Sequence, residues 1–333
     1  MLAKRPDPGN KWFPPPGAFP FYYATLSSLT VFFRAPLDAL RPYLKYTTLE
    51  PAELGGPGHG VVSLELQNYC AHFGAAQAPN NPGMSVTNEV EFNIIAYPER
   101  WKKEGRVPEI SLEYFLIGEE QTKTIGSYRL DVPADNPIAV EDGADTFGEQ
   151  KFWTGFDYNI PCENNPASLT DWDYTVLDPA YSAELRQHPN QKRPKKTPAK
   201  DVIYRLEAHL GDLYLGAESP KFGNPSPITL YSTLPKSSPC TGVNPVVNPK
   251  CADRRCPPAP SDTLIVSNWN IRSTYVTFLK GFKPGTVVVT PGKSKDPMRK
   301  NIQALVNEEN LVAIRVFQSP SAATESRACF VNL

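Results

Sequence analysis

The side chains able to do covalent or proton-transfer chemistry in this 333-residue chain are few, and each type admits a different reaction. Four histidines, His59, His72, His188 and His209, are spread too widely to form a recognisable metal or hydrolase signature, and the chain has no GxSxG, HExxH or Walker A motif. The glycine cluster GGPGHG at 55–60 contains a proline and leads into a strand, so it offers no helix N-terminus to a phosphate and reads as a turn. Six cysteines (Cys70, Cys162, Cys240, Cys251, Cys256, Cys329) lack any CxxC pair. They read as free thiols, with no zinc site at Cys240, Cys251 and Cys256. Lys151 stands among Phe147, Phe152, Trp153 and Phe156. A lysine attacks a carbonyl only when neutral, and at an ordinary pKa of about 10.4 roughly one in 2,500 is neutral at pH 7. Moving that pKa to 7 requires about 4–5 kcal/mol of disfavoured charge. By itself, a lysine beside aromatics reads as a surface residue laying its stem on apolar neighbours.

The elements that would carry such groups are mostly strands. Thirty-six prolines fall between the apolar segments, the punctuation of short strands joined by loops. Period-two patterning predicts strands at 29–35, 61–70, 84–97, 109–117, 124–132, 137–141, 172–177, 201–210, 212–216, 227–234, 263–279, 285–290 and 311–318. Ser63, Glu65, Gln67 and Tyr69 share one strand face, and Glu89, Glu91 and Asn93 share another. On a sandwich those faces meet solvent; in a closed barrel they line a polar interior. A helix is expected at 297–310, with Asp296 as cap and Pro297 first, and a shorter one from Pro36.

Many strands, few helices and no strand–helix alternation predict a mostly β (α+β) fold, a single antiparallel barrel or sandwich over 1–333 with helices outside. The Pro-rich stretches 183–200 and 235–262 read as surface insertions, the first carrying KRPKK at 192–196 as a solvated charge run. Thirty-four basic against 35 acidic residues give a net charge of −1, which excludes bulk electrostatic attraction to nucleic acid or anionic membranes. No apolar run exceeds four residues, and the opening MLAKRPDPGNKWFPPPG has no apolar centre. Pro225 blocks the one sequon, at Asn224. A cytoplasmic protein with no membrane and no nucleic-acid partner is expected.

The stretch DNPIAVEDGADTFGEQKFW at 135–153 resembles the active-site segment of the acetoacetate decarboxylase superfamily, in which a Pro, Ile/Ala, Val pattern leads to a glycine and, eight residues later, to a Schiff-base lysine. Gly143 and Lys151 have that spacing. FFRAPLDALRPYL at 32–44 is similar to the family's strand, Arg, Asp-Ala-Leu helix and turn; Glu65 in SLEL and Glu89 in TNEVEF fall where the family has two glutamates. The resemblance covers about residues 19–160. It implies a barrel or cone of mostly antiparallel strands around Lys151, with Glu89 and Glu65 as proton carriers and Phe147, Phe152, Trp153 and Tyr69 against the substrate. Neither cysteines nor histidines offer recognisable ligand spacing, so no metal is expected, and no cofactor is; the resemblance implies a small-molecule carbonyl substrate and, loosely, a homo-oligomer. Acetoacetate decarboxylase is itself the known case of a lysine activated by desolvation or a neighbouring cation.

Two departures bear on the substrate. The family's second lysine is replaced by Phe152, and its N-terminal arginine by Leu26, with no arginine between Arg5 and Arg34. The expectation is therefore a Schiff-base lyase, of aldol, dehydration or decarboxylation type, for an apolar, polyketide-like carbonyl compound rather than for acetoacetate. The alternatives are a non-covalent cyclase or isomerase in the same pocket, and a lipocalin-like binding barrel.

Overall fold

A computed structural model describes residues 21–73, 85–120, 122–161, 170–190, 194, 196–216, 220–223, 227–233, 240, 245–246, 248–255, 263–270, 275–319 and 325–332. The first half runs β1 (Phe21–Pro36), α1 (Leu37–Leu44), β2 (Leu49–Pro51), β3 (His59–Phe73), β4 (Ser85–Pro98), α2 (Glu99–Lys103), α3 (Leu112–Leu116), β5 (Gly126–Ala134), α4 (Pro137–Phe147) and β6 (Lys151–Trp153). The second half adds β7 (Phe156–Asn159), β8 (Asp171–Leu177), α5 (Pro179–Gln187), β9 (Val202–His209), α6 (Gly211–Leu215), β10 (Lys221–Phe222) and β11 (Pro227–Thr233). It ends with β12 (Thr263–Asn270), β13 (Val276–Phe278), β14 (Val287–Pro291), α7 (Pro297–Leu305), β15 (Leu311–Ser319) and β16 (Glu325–Asn332).

Twelve strands form one sheet in the order β10-β13-β15-β1-β3-β4-β5-β11-β12-β16, with β2 added on β4 and β6 on β5; a second sheet runs β14-β9-β8-β7. The mostly β, α+β class holds, but the closed antiparallel barrel does not. Among the described residues the path is open, since β16 comes close to β1 without a ladder joining them. The sheet is also mixed, because β5 pairs in parallel with both β6 and β11. A parallel neighbour needs a crossover, and α4 supplies it between β5 and β6.

That helix is one of three places where an expected strand is helical. Apolar runs of three or four residues do not distinguish the two states, and the caps decide. At 137–141 the Asn136 side chain accepts from the Ile138 amide, Pro137 opens the first turn and Gly148 closes α4 with φ 67°. At 109–117 Ser111 caps α3. At 212–216 the chain forms α6. The helix expected over 297–310 ends at Leu305, and 308–310 is a separate 3-10 turn capped by Asn307. Residues 271–274, inside the strand expected at 263–279, and most of KRPKK lie outside the described residues.

The alternation read from β1, β3 and β4 is real. Leu29, Val31, Leu64, Leu66, Val90, Phe92 and Ile94 are buried on one face, packed in the same core as Trp172, Tyr174, Tyr204 and Leu206 of the second sheet. Ser63, Glu89, Glu91 and Asn93, on the other face, are no more than 3% exposed. Both faces of the sheet are buried, one apolar and one polar. No helix among the described residues is long and apolar enough to cross a membrane.

Candidate active site

The lysine is placed by its two flanking turns. After β5 the chain crosses through α4 and returns beside β5, with Val132 paired to Lys151. The helix passes so close that a Cβ on Gly143 would lie 2.6 Å from Glu149 Oε2, 2.7 Å from Lys151 Nζ, and closer still to Lys151 Cδ. Only glycine leaves room there for the lysine stem. The free edge of β6 is closed by a later segment: Arg254 N donates to Lys151 O (2.8 Å), Trp153 N donates to Ala252 O (2.7 Å), and Phe152 bridges Asp253. The segment is fastened by an Arg254–Asp145 ion pair to α4 (2.8 Å) and by a Cys240–Cys251 disulfide. The expectation of free thiols fails for that pair, because the chain brings two cysteines eleven residues apart back together. Cys70 is a free thiol.

Lys151 Nζ donates to Glu89 Oε2 (3.0 Å), which also accepts from the Tyr69 hydroxyl (2.8 Å). Glu149 Oε2 lies 3.0 Å from the same Nζ yet accepts no hydrogen bond. Arg129 grips Glu149 Oε1 through Nη1 and Glu91 Oε1 through Nη2. Gln67 Nε2 donates to Glu91 (3.1 Å) and to Glu65 (3.2 Å), and Glu65 ends the chain in a 3.6 Å ion pair with Arg315. Arg129 joins this face because Leu130 is an extra residue in β5. The register moves from Phe92↔Asp131 to Asn93↔Arg129, turning Arg129 toward the polar side and Asp131 toward the apolar one.

Burial dominates the protonation of the cluster. Desolvation pushes the Lys151 amine below its ordinary value, Glu89 opposes that, and the nearby Arg129 charge adds to it. Burial raises Glu91 to about 7, with Arg129 opposing and Glu65 and Glu89 adding. Asp142 on α4 is likewise pushed up to about 7, by burial first and Glu141 next. An amine eased toward neutrality, touching two carboxylates, can add to a carbonyl and pass protons to its neighbours.

Of the residues singled out from the sequence, Lys151, Glu89 and Tyr69 meet directly, and Glu65 is connected through Gln67 and Glu91. Phe147 is buried at the end of α4. Phe152 alternates away from Lys151 and lies under the Arg255 guanidinium (3.8 Å). Trp153 carries Arg186 on its ring (3.7 Å) and donates from Nε1 to Asp135 O (3.0 Å). Arg129 and Glu149 were not anticipated. Glu149 could have been found from its place two residues before Lys151, whereas the extra residue in β5 hides Arg129 from any period-two count. Among the described residues no group of three or more His, Cys, Asp or Glu side chains could hold a metal ion.

No protein-family model and no curated protein matches the chain. Solved structures do. The enduracididine biosynthesis enzyme MppR with HEPES bound is 12% identical over 97% of this chain and 91% of its own, with a TM-score of 0.54. MppR complexed with the condensation product of pyruvate and imidazole 4-carboxaldehyde is 13% identical over 96% and 92%, again at 0.54. Acetoacetate decarboxylase from Legionella pneumophila subsp. pneumophila str. Philadelphia 1 is 9% identical over 99% and 93%, at 0.50. With the open mixed sheet, the α4 crossover and a buried lysine at its end, this chain is a divergent bearer of the acetoacetate decarboxylase-like fold.

Proposed function

We propose that the protein is a Schiff-base-forming lyase, of aldol, dehydration or decarboxylation type, acting on an apolar, polyketide-like ketone or aldehyde. The observation that carries this reading is the buried Lys151 amine, pushed below its ordinary basicity and bonded to Glu89 at 3.0 Å. The neutral amine adds to the carbonyl carbon. Glu89 carries a proton from nitrogen to the carbinolamine oxygen, a second proton drawn from solvent releases that oxygen as water, and the resulting iminium accepts the electron pair released when a C–C or C–H bond breaks. Tyr69 holds the Glu89 oxygen that performs the transfer. Beside Tyr69, Leu26, Tyr275 and Phe317 form a separate apolar cluster, which supports an apolar substrate body next to the polar face. The capture of a pyruvate–aldehyde condensation product by MppR supports carbonyl condensation as the reaction type.

The test is intact mass after borohydride reduction with a panel of ketones and aldehydes. A reduced adduct on Lys151 is expected in the native protein and none in Lys151→Arg, which keeps the charge but forms no ordinary imine. If the arginine variant retains substantial turnover, covalent catalysis is wrong. The ion pairs of Lys151 with Glu89 and Glu149 favour the second reading, a non-covalent cyclase or isomerase in which the ammonium donates hydrogen bonds to substrate.

A further inference from the structure

Lys151 lies 3.0 Å from two carboxylates, Glu89 Oε2 and Glu149 Oε2, in a site almost closed to solvent. Two such neighbours acting alone would hold the amine as an ammonium ion and leave it unreactive. Glu149 differs from Glu89 in two respects. Its Oε2 accepts no hydrogen bond, and its Oε1 is taken by Arg129. The same guanidinium takes Glu91 with its other terminal nitrogen, and its own side chain is only 5% exposed. We propose, resting on the lyase reading, that Arg129 is a positioning residue for Lys151: by claiming Glu149 and Glu91 it cancels the carboxylate charge that would otherwise keep the amine protonated.

The charges that face the lysine come from every element around it. Glu89 and Glu91 lie on β4, Arg129 on β5 and Asp142 on α4. Glu149 stands on the turn into β6, and Tyr69 on β3 holds Glu89. Glu65 on β3 is occupied by Arg315, and Arg254, in the segment along β6, by Asp145. Among these described groups, Arg129 is the cation whose contacts are all with the carboxylates around Lys151. It sits where it does through the extra residue Leu130, so this cation comes from a neighbouring strand, although the residue following the lysine is a phenylalanine.

The experiment follows carbamylation of Lys151 by cyanate as a function of pH, relative to exposed lysines in the same digest. The neutral amine adds to isocyanic acid to give a urea, so the midpoint reports amine protonation without needing the substrate. In Arg129→Met the midpoint should rise by about 1–3 pH units. It should fall in Glu149→Gln and remain near native in Arg129→Lys. An unchanged midpoint in folded Arg129→Met overturns the proposal. Should that variant not fold, the double variant Arg129→Met/Glu149→Gln is compared with Glu149→Gln alone. A higher midpoint in the double variant supports the proposal, and equal midpoints overturn it. A shifted midpoint without any trapped imine sinks the lyase reading and leaves Arg129 its role. A trapped imine with an unshifted midpoint does the reverse.

Discussion

On the proposed lyase reading, Glu89 has two duties at Lys151, and they pull in opposite directions. Its charge stabilises the ammonium form, while its oxygen is the one placed to move protons. Replacing it with glutamine removes both. In Glu89→Gln the Lys151 amine should become neutral at lower pH than in the native protein, so the midpoint of its carbamylation by cyanate should fall. Steady-state turnover should nevertheless fall about 10²–10⁴-fold, the usual worth of a positioned general acid–base. Comparing the carbamylation midpoint with turnover checks the split, and a lowered midpoint with undiminished turnover would mean that Glu89 serves only to set the charge of the lysine.

At the level of elements, α4 and β6 form the device that delivers the lysine. Gly143→Ala would favour the helix by roughly 1 kcal/mol on propensity alone. The added methyl would nevertheless fall on the Lys151 stem and Glu149 Oε2. The expected result is an unchanged far-UV spectrum with borohydride trapping of Lys151 cut at least tenfold, and undiminished trapping would show that the helix can yield. The spacing of Gly143 and Lys151 was legible in the sequence, as were the polar faces of β3 and β4 and the boundaries of most long strands. What was not legible has identifiable causes. PIAV reads equally as strand or buried helix until the Asn136 cap and Pro137 are weighed. A three-residue strand such as β6 is too short to carry a period. The polar faces suggested solvent or a closed barrel, whereas an open sheet buries them by curling toward itself. One extra residue at Leu130 turned Arg129 and Asp131, two positions apart, to opposite sides.

Across the whole molecule, Asp131 links parts that are far apart in sequence. It accepts from Asn301 of α7 (2.7 Å) and faces Arg255, which also holds Asp253 and the α7 cap Asp296. Burial raises Asp131 to about 7. A carboxyl whose folded pKa exceeds its unfolded one gives stability that is complete below the unfolded value, near 4, and is lost as pH rises through 7. Its share of that decline is at most about 1.4 kcal/mol per pH unit. Asp131→Asn cannot titrate, so the difference in urea midpoint between native and variant should shift in the variant's favour from pH 5 to pH 8; a constant difference would show that Asp131 stays ionised. The Cys240–Cys251 disulfide belongs to the same fastening, and disulfides persist in oxidising rather than reducing compartments. A non-reducing peptide map should show the two peptides joined, and free thiols would leave the Arg254–Asp145 ion pair as the side-chain fastening of the segment.

The pairing of β6 with residues 252–254 also sets a timetable. During synthesis Lys151 leaves the ribosome about a hundred residues before the segment that closes over its strand, and contacts so distant in sequence form late. Until then the amine is hydrated and, at an ordinary pKa of about 10.4, almost wholly charged. On the proposed lyase reading, a growing or truncated chain thus carries its lysine inert, and the residue becomes a nucleophile only in a finished molecule.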